Sequence, residues 1–186
     1  AGHVFHAKNI LRRPGGLCWS NLFYAAPIGA PGSVALAGLA GLAGTGLERR
    51  APVGPRREGR VMAVGVVAGL LGTSAEVALL HFRGAFHNPA MYIPVIVPPV
   101  AALSLGLATA KPTPQRLRLA RRLLGATAVM GLVGTAFHAW GVQRNMGGWR
   151  NWQQNLQVAP PLPAPPSFTG VALVGLGAID LLEVSS

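Results

Sequence analysis

Charged side chains are scarce in this sequence, where they make up 11% of 186 residues. A soluble domain carries about 25%, so this chain lacks the charge that a water-facing surface needs. Apolar residues account for 51% of the chain, and the mean hydropathy is positive at +0.41. These values exclude an ordinary soluble domain and favour a membrane protein.

Acidic residues and cysteine are rarer still. There are 5 Asp and Glu against 16 Lys and Arg, a balance that would indicate a nucleic-acid binder if the bases formed one solvated patch. They lie instead in short clusters between apolar stretches, so we expect no nucleic-acid partner. Cys18 stands alone, which excludes an intrachain disulfide and a cysteine cluster for zinc or iron–sulfur.

Five apolar stretches follow one another along the chain, at residues 32–47, 61–82, 91–110, 123–142 and 168–182. About twenty helical residues cross a bilayer core of about 30 Å. The sequence therefore predicts an all-α, multi-pass transmembrane bundle of about five spans over residues 32–186. Residues 1–31 are predicted to form an outside or interfacial segment.

The basic residues predict how the chain crosses the membrane, because short cytoplasmic loops are enriched in Lys and Arg. Two connections, residues 48–60 and 111–122, each hold five bases, whereas the alternate connections hold one and two. We expect an integral protein of the bacterial inner membrane with its N-terminus outside and its C-terminus in the cytoplasm. Asp180 and Glu183 would then lie at the cytoplasmic end of the last span and pair with Arg121 or Arg122.

An internal repeat is visible in the apolar part. The pattern Gly-x-x-Gly-Thr occurs at residues 69–73 and 131–135, and each copy is followed by a polar loop, a proline pair and a Val-Ala-rich span. The N-terminal region resembles a third copy, with Phe5-His6-Ala7 matching Phe137-His138-Ala139 and Gly15-Gly16 matching Gly147-Gly148. The repeat predicts two-span units in the same orientation, related by an axis along the membrane normal.

Ionisable side chains within spans are the candidate chemical groups, because they are costly in a bilayer. The repeat places His6, Glu76 and His138 at one equivalent position, and His81 and His87 lie nearby in the second unit. Two imidazoles and a carboxylate suit iron, zinc or copper. Two imidazoles alone could ligate a haem b, and one could ligate a chlorophyll-type pigment. Glu76 and His138 could equally form a structural pair or a proton path.

The predicted outside loops hold candidate docking residues. Interfaces between proteins are rich in Arg and aromatic residues, and both loops contain them: Arg83, Asn88, Tyr92, Trp149, Arg150 and Trp152. A location at the membrane–water interface alone would also explain the Trp and Tyr residues. The loop at residues 143–166 shows no evident secondary structure in the sequence.

These features favour a non-catalytic subunit of a larger membrane complex, in an electron-transfer assembly of the respiratory or photosynthetic kind. The expected partners are the lipid bilayer and other membrane subunits. The alternative hypothesis is a small transporter or channel with a path past Glu76 and His138. No nucleophile or metal motif with fixed spacing indicates an enzyme.

Overall fold

The computed structural model describes residues 2–24 and 54–184, and the stretch at residues 32–47 lies outside them. Four described helices are long and apolar enough to cross a bilayer, so the prediction of an all-α, multi-pass membrane protein is confirmed. The helices are α1 (Gly2–Leu11), α2 (Trp19–Tyr24), α3 (Pro55–Arg83), α4 (Ile93–Ala110), α5 (Pro114–Gln143), α6 (Trp152–Val158) and α7 (Ala164–Glu183). Short 3-10 helices at Pro89–Tyr92 and Gly148–Asn151 precede α4 and α6.

Three of the described spans, α3, α5 and α7, are longer than the apolar stretches that the sequence predicts. α3 and α5 begin at Pro55 and Pro114, within the Arg-rich segments that the sequence assigned to loops. Proline suits the first turn of a helix because its missing N–H has no partner there, and the Thr113 side chain caps α5 by accepting a hydrogen bond from the Arg116 N–H at 3.3 Å. The loop expected at residues 143–166 also contains helix, namely α6 and the 3-10 turn before it.

The four spans form a ring in which each helix packs against two neighbours. α4 and α7 each contact both α3 and α5, so the order around the bundle is α3, α4, α5, α7. α3 and α5 run parallel to each other, because both run antiparallel to α7. On α3, Gly59 faces Ala178, while on α5 Gly131 faces Pro165 and Leu124 faces Gly175.

Small side chains allow these helices to approach closely. Much of the fully buried core consists of alanine, at positions 63, 101, 102, 108, 120, 172 and 178, with Leu70, Leu105 and Leu124 between them. Lipid tails are as apolar as leucine, so helices in a bilayer associate mainly through van der Waals packing and interhelical hydrogen bonds. Thr169 on α7 supplies one such bond, donating to the Ala128 carbonyl of α5 at 2.8 Å.

α5 and α7 approach each other closely at Gly131. A Cβ built at this position would lie 2.7 Å from the Pro165 carbonyl oxygen and would also overlap the Thr169 hydroxyl. Real Cβ atoms do not approach backbone oxygen so closely. The absence of a side chain at Gly131 is therefore a condition of this helix contact.

The second spans of the two units, α4 and α7, match when their proline pairs are aligned. Five buried positions then coincide: Pro98, Ala101, Ser104, Leu105 and Ala108 of α4 with Pro165, Phe168, Val171, Ala172 and Gly175 of α7. Together with the parallel course of α3 and α5, this match supports two-span units in one orientation.

The first spans of the two units match less simply. The buried positions Gly59, Ala63, Val66 and Leu70 of α3 correspond to Ala120, Leu124, Thr127 and Gly131 of α5. This alignment is shifted by one residue from that of the two Gly-x-x-Gly-Thr segments. A shift of one residue rotates a helix position by about 100°, so residues that match in sequence do not face the same way.

The Gly131 contact predicts opposite effects of two Gly→Ala substitutions on α5. Gly131→Ala should lower the free energy of unfolding by about 1 to 3 kcal/mol, as overpacking does, because α7 backbone must move. Gly125→Ala should stabilise by up to about 1 kcal/mol through helix propensity, because a Cβ there meets nothing within 4 Å. Thermal unfolding in detergent measures both; equal shifts would contradict the packing described.

Candidate site at the aromatic end of the bundle

Most of the predicted site residues lie at one end of the bundle, opposite the end at which the Arg-bearing helices begin. We call it the aromatic end. It comprises the loop between α3 and α4, the segment between α5 and α7, and the end of α2. Tyr24 belongs here because the Arg83 guanidinium lies 5.1 Å from its ring centroid, within the range of a cation–π interaction.

Two loops, one after α1 and one after α5, share a Gly-Gly pair with left-handed backbone angles. α1 ends at Leu11 and α5 at Gln143, and each is followed by a Gly-Gly pair in the left-handed region. The φ angles are 87° and 56° at Gly15 and Gly16, and 78° and 52° at Gly147 and Gly148. Glycine adopts these angles without a steric penalty. The resemblance of the N-terminal region to the later loop thus extends to its conformation.

A buried asparagine closes each of these loops. The Asn21 amide donates to the carbonyls of Pro14 and Gly16 at 3.0 and 2.7 Å. The Asn155 amide likewise donates to the carbonyls of Met146 and Gly148 at 3.3 and 2.8 Å. In both loops the acceptors are the residue before the glycine pair and the second glycine. We call this arrangement the asparagine clasp.

The loop between α3 and α4 has left-handed residues without glycine. Ala85 and Phe86 have φ angles of 56° and 46°, and they align with Gly147 and Gly148 in the sequence repeat. Such angles cost a residue with a Cβ roughly 1 to 2 kcal/mol. The Phe86 ring stacks on Tyr92 at a centroid distance of 4.4 Å and meets His81 edge-on at 6.1 Å. These ring contacts offset part of the backbone strain.

His81 and His138 are held in the same way. The His81 Nδ1 lies 2.7 Å from the Met91 carbonyl, and the His138 Nδ1 lies 2.7 Å from the Pro161 carbonyl. Each acceptor lies just before the following span. A carbonyl only accepts, so each Nδ1 carries the proton when the ring is neutral, and each Nε2 then keeps its lone pair.

Both imidazoles lie on the sides of their helices that face the bundle. His81 follows the buried Ser74 by seven residues and His138 follows the buried Gly131 by seven, which is about two helical turns. His87 and His138 both lie in the neighbourhood of His81. The exposed His87 is anchored separately, with its Nδ1 3.0 Å from the Gly84 carbonyl.

The expected grouping of His6, Glu76 and His138 is not found. Glu76 is half-buried but lies two residues beyond Ser74, about 200° around α3 from it. Within residues 2–24 and 54–184, no three His, Cys, Asp or Glu side chains lie close enough to hold a metal ion. His6 is on α1, five residues before the helix end, as His138 is on α5. His81 shares the anchoring of His138, although the alignment of buried positions places Val77 of α3, four residues earlier than His81, opposite His138.

The predicted docking residues divide into two groups. Asn88 caps the 3-10 helix by accepting from the Ala90 N–H at 2.9 Å, and Arg83 and Tyr92 make the ring contacts given above. These three therefore shape the loop after α3. Arg150 is exposed, and Trp149 and Trp152 are 45% and 53% exposed, so they remain available to a partner.

Asn21 and Asn155 were not identified from the sequence, although a signal was present. Each is followed by leucine and lies a short distance after a Gly-Gly pair. A pairwise comparison of the two loops would have selected them. The left-handed φ angle of Phe86 has no such signal in the sequence, because phenylalanine does not favour left-handed angles.

Comparison with protein-family models, with curated proteins and with solved structures finds no match to this chain.

The asparagine clasp predicts a local effect of Asn155→Ala. The change removes two part-buried hydrogen bonds to the carbonyls of Met146 and Gly148 and should destabilise the loop by about 1 to 3 kcal/mol. Hydrogen exchange at residues 146–155 should then accelerate by about fivefold or more. Asn151→Ala is the control, since Asn151 is exposed and bonds only Gln154 on the surface; equal acceleration in both variants would contradict a role of the clasp.

Proposed function

We propose that this chain is a non-catalytic integral membrane subunit of a larger electron-transfer assembly, in which His81 and His138 ligate the metal of a haem or a chlorophyll-type pigment. The observation that carries this proposal is the matched anchoring of the two imidazoles, each with its Nδ1 2.7 Å from a backbone carbonyl. Metal-ligating histidines are commonly oriented in this way.

The anchoring supports ligation for two physical reasons. The hydrogen bond fixes the tautomer and the direction of the ring, so little rotational freedom is lost when Nε2 binds a metal. The hydrogen bond to the carbonyl also makes the ring more basic, so that Nε2 binds a metal more strongly. Imidazole is a common ligand of haem iron, and a haem held by His81 and His138 would supply the redox chemistry.

The clasped loops support a role in docking. Their most exposed apolar side chains are Leu17, Trp19 and Met146, which are 71%, 77% and 91% exposed. Loops fixed before binding lose less conformational entropy in a complex, and Trp is enriched among the residues that dominate binding. A neighbouring subunit that covers this end would also cover the two histidines.

The transporter hypothesis gains no support from the geometry. Ala63, Leu70, Ala101, Leu105 and Leu124 are fully buried between the four spans. Glu76 lies on a different side of its helix from this core. The described helices thus provide no polar path that joins Glu76 to His138.

For the orientation, we propose that the Arg-bearing end is cytoplasmic and the aromatic end outside, on the distribution of bases. In a Cys18→Ser background, a membrane-impermeant thiol reagent should label Gln153→Cys in intact cells. Gln115→Cys should be labelled only after permeabilisation, since both positions are exposed but lie at opposite ends. The reverse pattern would invert the orientation.

The ligation proposal predicts a spectroscopic change. Protein purified from its native membrane should show a haem or pigment absorption band, and His138→Ala or His81→Ala should abolish it. His87→Ala is the control, because His87 is exposed and anchored within its own loop. Thermal unfolding of each variant separates loss of the group from loss of the fold.

Three outcomes would count against ligation. They are the absence of a band in the parent protein, the retention of the band in both His81→Ala and His138→Ala, and its loss in folded His87→Ala.

The docking proposal predicts a change of assembly size. Trp149→Ala combined with Trp152→Ala should shift the protein, solubilised in mild detergent, to a smaller species on a native gel. Trp140→Ala is matched in residue type and is 63% exposed on α5, but it lies outside the clasped loop and should leave the size unchanged. An unchanged size in the double variant would contradict docking through this loop.

A further inference from the structure

An outward-facing groove lies between α3 and α4, near the end of the bundle that carries the Arg residues. Its volume is about 490 Å³, and it is lined by Ala63, Val64, Val67, Ala68 and Leu71 from α3 and by Gly106, Thr109 and Ala110 from α4. Thr109 donates its hydroxyl to the Leu105 carbonyl at 2.8 Å, so its polar group is satisfied within the helix. The groove is therefore apolar along its length.

The groove is a difference between the two units of the repeat. When the proline pairs are aligned, Gly106 and Thr109 of α4 correspond to Leu173 and Leu176 of α7. Leucine side chains thus stand where α4 has a hydrogen atom or a short hydroxyl side chain. The small residues that line the groove on α4 are therefore not repeated at the matching positions of α7.

Three bases surround the mouth of the groove. Arg57 and Arg60 precede Val64 on α3 by seven and four residues, so they lie on the same side of the helix. Lys111 directly follows Ala110 at the end of α4. All three are exposed, and no ion pair joins them to an acid in the described part of the chain.

The neighbouring pair of helices, α5 and α7, differs because its basic side chain has acidic partners. Arg121 of α5 is bound by Asp180 and Glu183 of α7, at 2.7 and 2.9 Å. Its charge is thereby compensated within the protein. The bases at the groove have no such partner, and the N-terminus of α3 adds the positive end of a helix dipole.

We propose that this groove binds one anionic phospholipid, whose phosphate contacts Arg57, Arg60 and Lys111 and whose acyl chain lies along Val64, Ala68 and Gly106. The groove is apolar over the length where a chain would lie and basic at the depth of the headgroup. Guanidinium groups donate two hydrogen bonds to phosphate oxygens, and basic pockets between membrane helices are known to hold anionic headgroups.

The test compares two lipids that differ in headgroup charge. Purified full-length protein is mixed in detergent with phosphatidylglycerol or phosphatidylcholine of identical acyl chains, and bound lipid is counted by native mass spectrometry. One phosphatidylglycerol should bind at concentrations where phosphatidylcholine does not. Each base near an anionic surface adds about 1 kcal/mol, about fivefold in affinity, so Arg57→Gln with Arg60→Gln should weaken binding about 25-fold.

The groove and the charge are tested separately. Gly106→Leu should displace the chain and abolish the one-lipid complex, and a Cβ there meets only Val67 at 4.0 Å. Ala68→Leu is a second filling variant in case the first does not fold. Arg118→Gln with Arg122→Gln removes the same charge from exposed positions of α5 and should leave phosphatidylglycerol binding within twofold of the parent.

Several results would overturn the proposal. If Arg118→Gln with Arg122→Gln weakened phosphatidylglycerol binding to the same extent, net surface charge alone would explain the effect. Retention of lipid in a folded Gly106→Leu or Ala68→Leu variant would exclude the groove as the chain site. Conversion of a dimer to a monomer by these variants, with lipid binding unchanged, would assign the groove to a second copy of the chain. Equal affinity for both lipids would exclude recognition of the headgroup.

Discussion

The contact at Gly131 is the constraint on which the arrangement of the bundle depends. α5 and α7 approach there until the Pro165 carbonyl occupies the space of a missing Cβ, and this approach brings the Thr169 hydroxyl to the Ala128 carbonyl. The same approach sets the start of α7 beside the last turns of α5. The His138 ring can then reach the Pro161 carbonyl, so the orientation of a candidate ligand follows from a helix contact two turns away.

Composition and base distribution were enough to predict the membrane bundle and the ends of the bundle at which charges and aromatics collect. The pairing of Arg121 with Asp180 and Glu183 also followed, because residues one turn apart on a helix end face the same neighbour. The exact helix starts did not follow, because hydropathy alone places Arg56 or Arg118 in a loop. Proline at the first helical position and the Thr113 cap outweigh that polarity.

The candidate site was predicted only in part, and the reason lies in the repeat. Sequence similarity aligned Glu76 with His138. Matching residues in Gly- and Ala-rich helices do not determine, however, how each helix is rotated about its axis in the bundle. The buried positions align the first spans one residue away and place Val77 opposite His138. The histidine that is anchored in the same way as His138, His81, lies four residues further along α3. The asparagine clasps show the opposite case, since backbone conformation is conserved between two loops whose side chains differ at most positions.

The charge distribution at the Arg-bearing end has a consequence for biosynthesis. α3 and α5 both begin with several arginines, and neither has enough acid of its own to balance them. Asp180 and Glu183 lie on α7, which follows α3, α4 and α5 in the sequence. Before α7 packs against α5, Arg121 lacks both of these partners, and lipid headgroups and water must balance its charge. The two ion pairs of Arg121 therefore form only after α3, α4 and α5 have been synthesised, which makes the contact between α5 and α7 at this end a late step among the described spans.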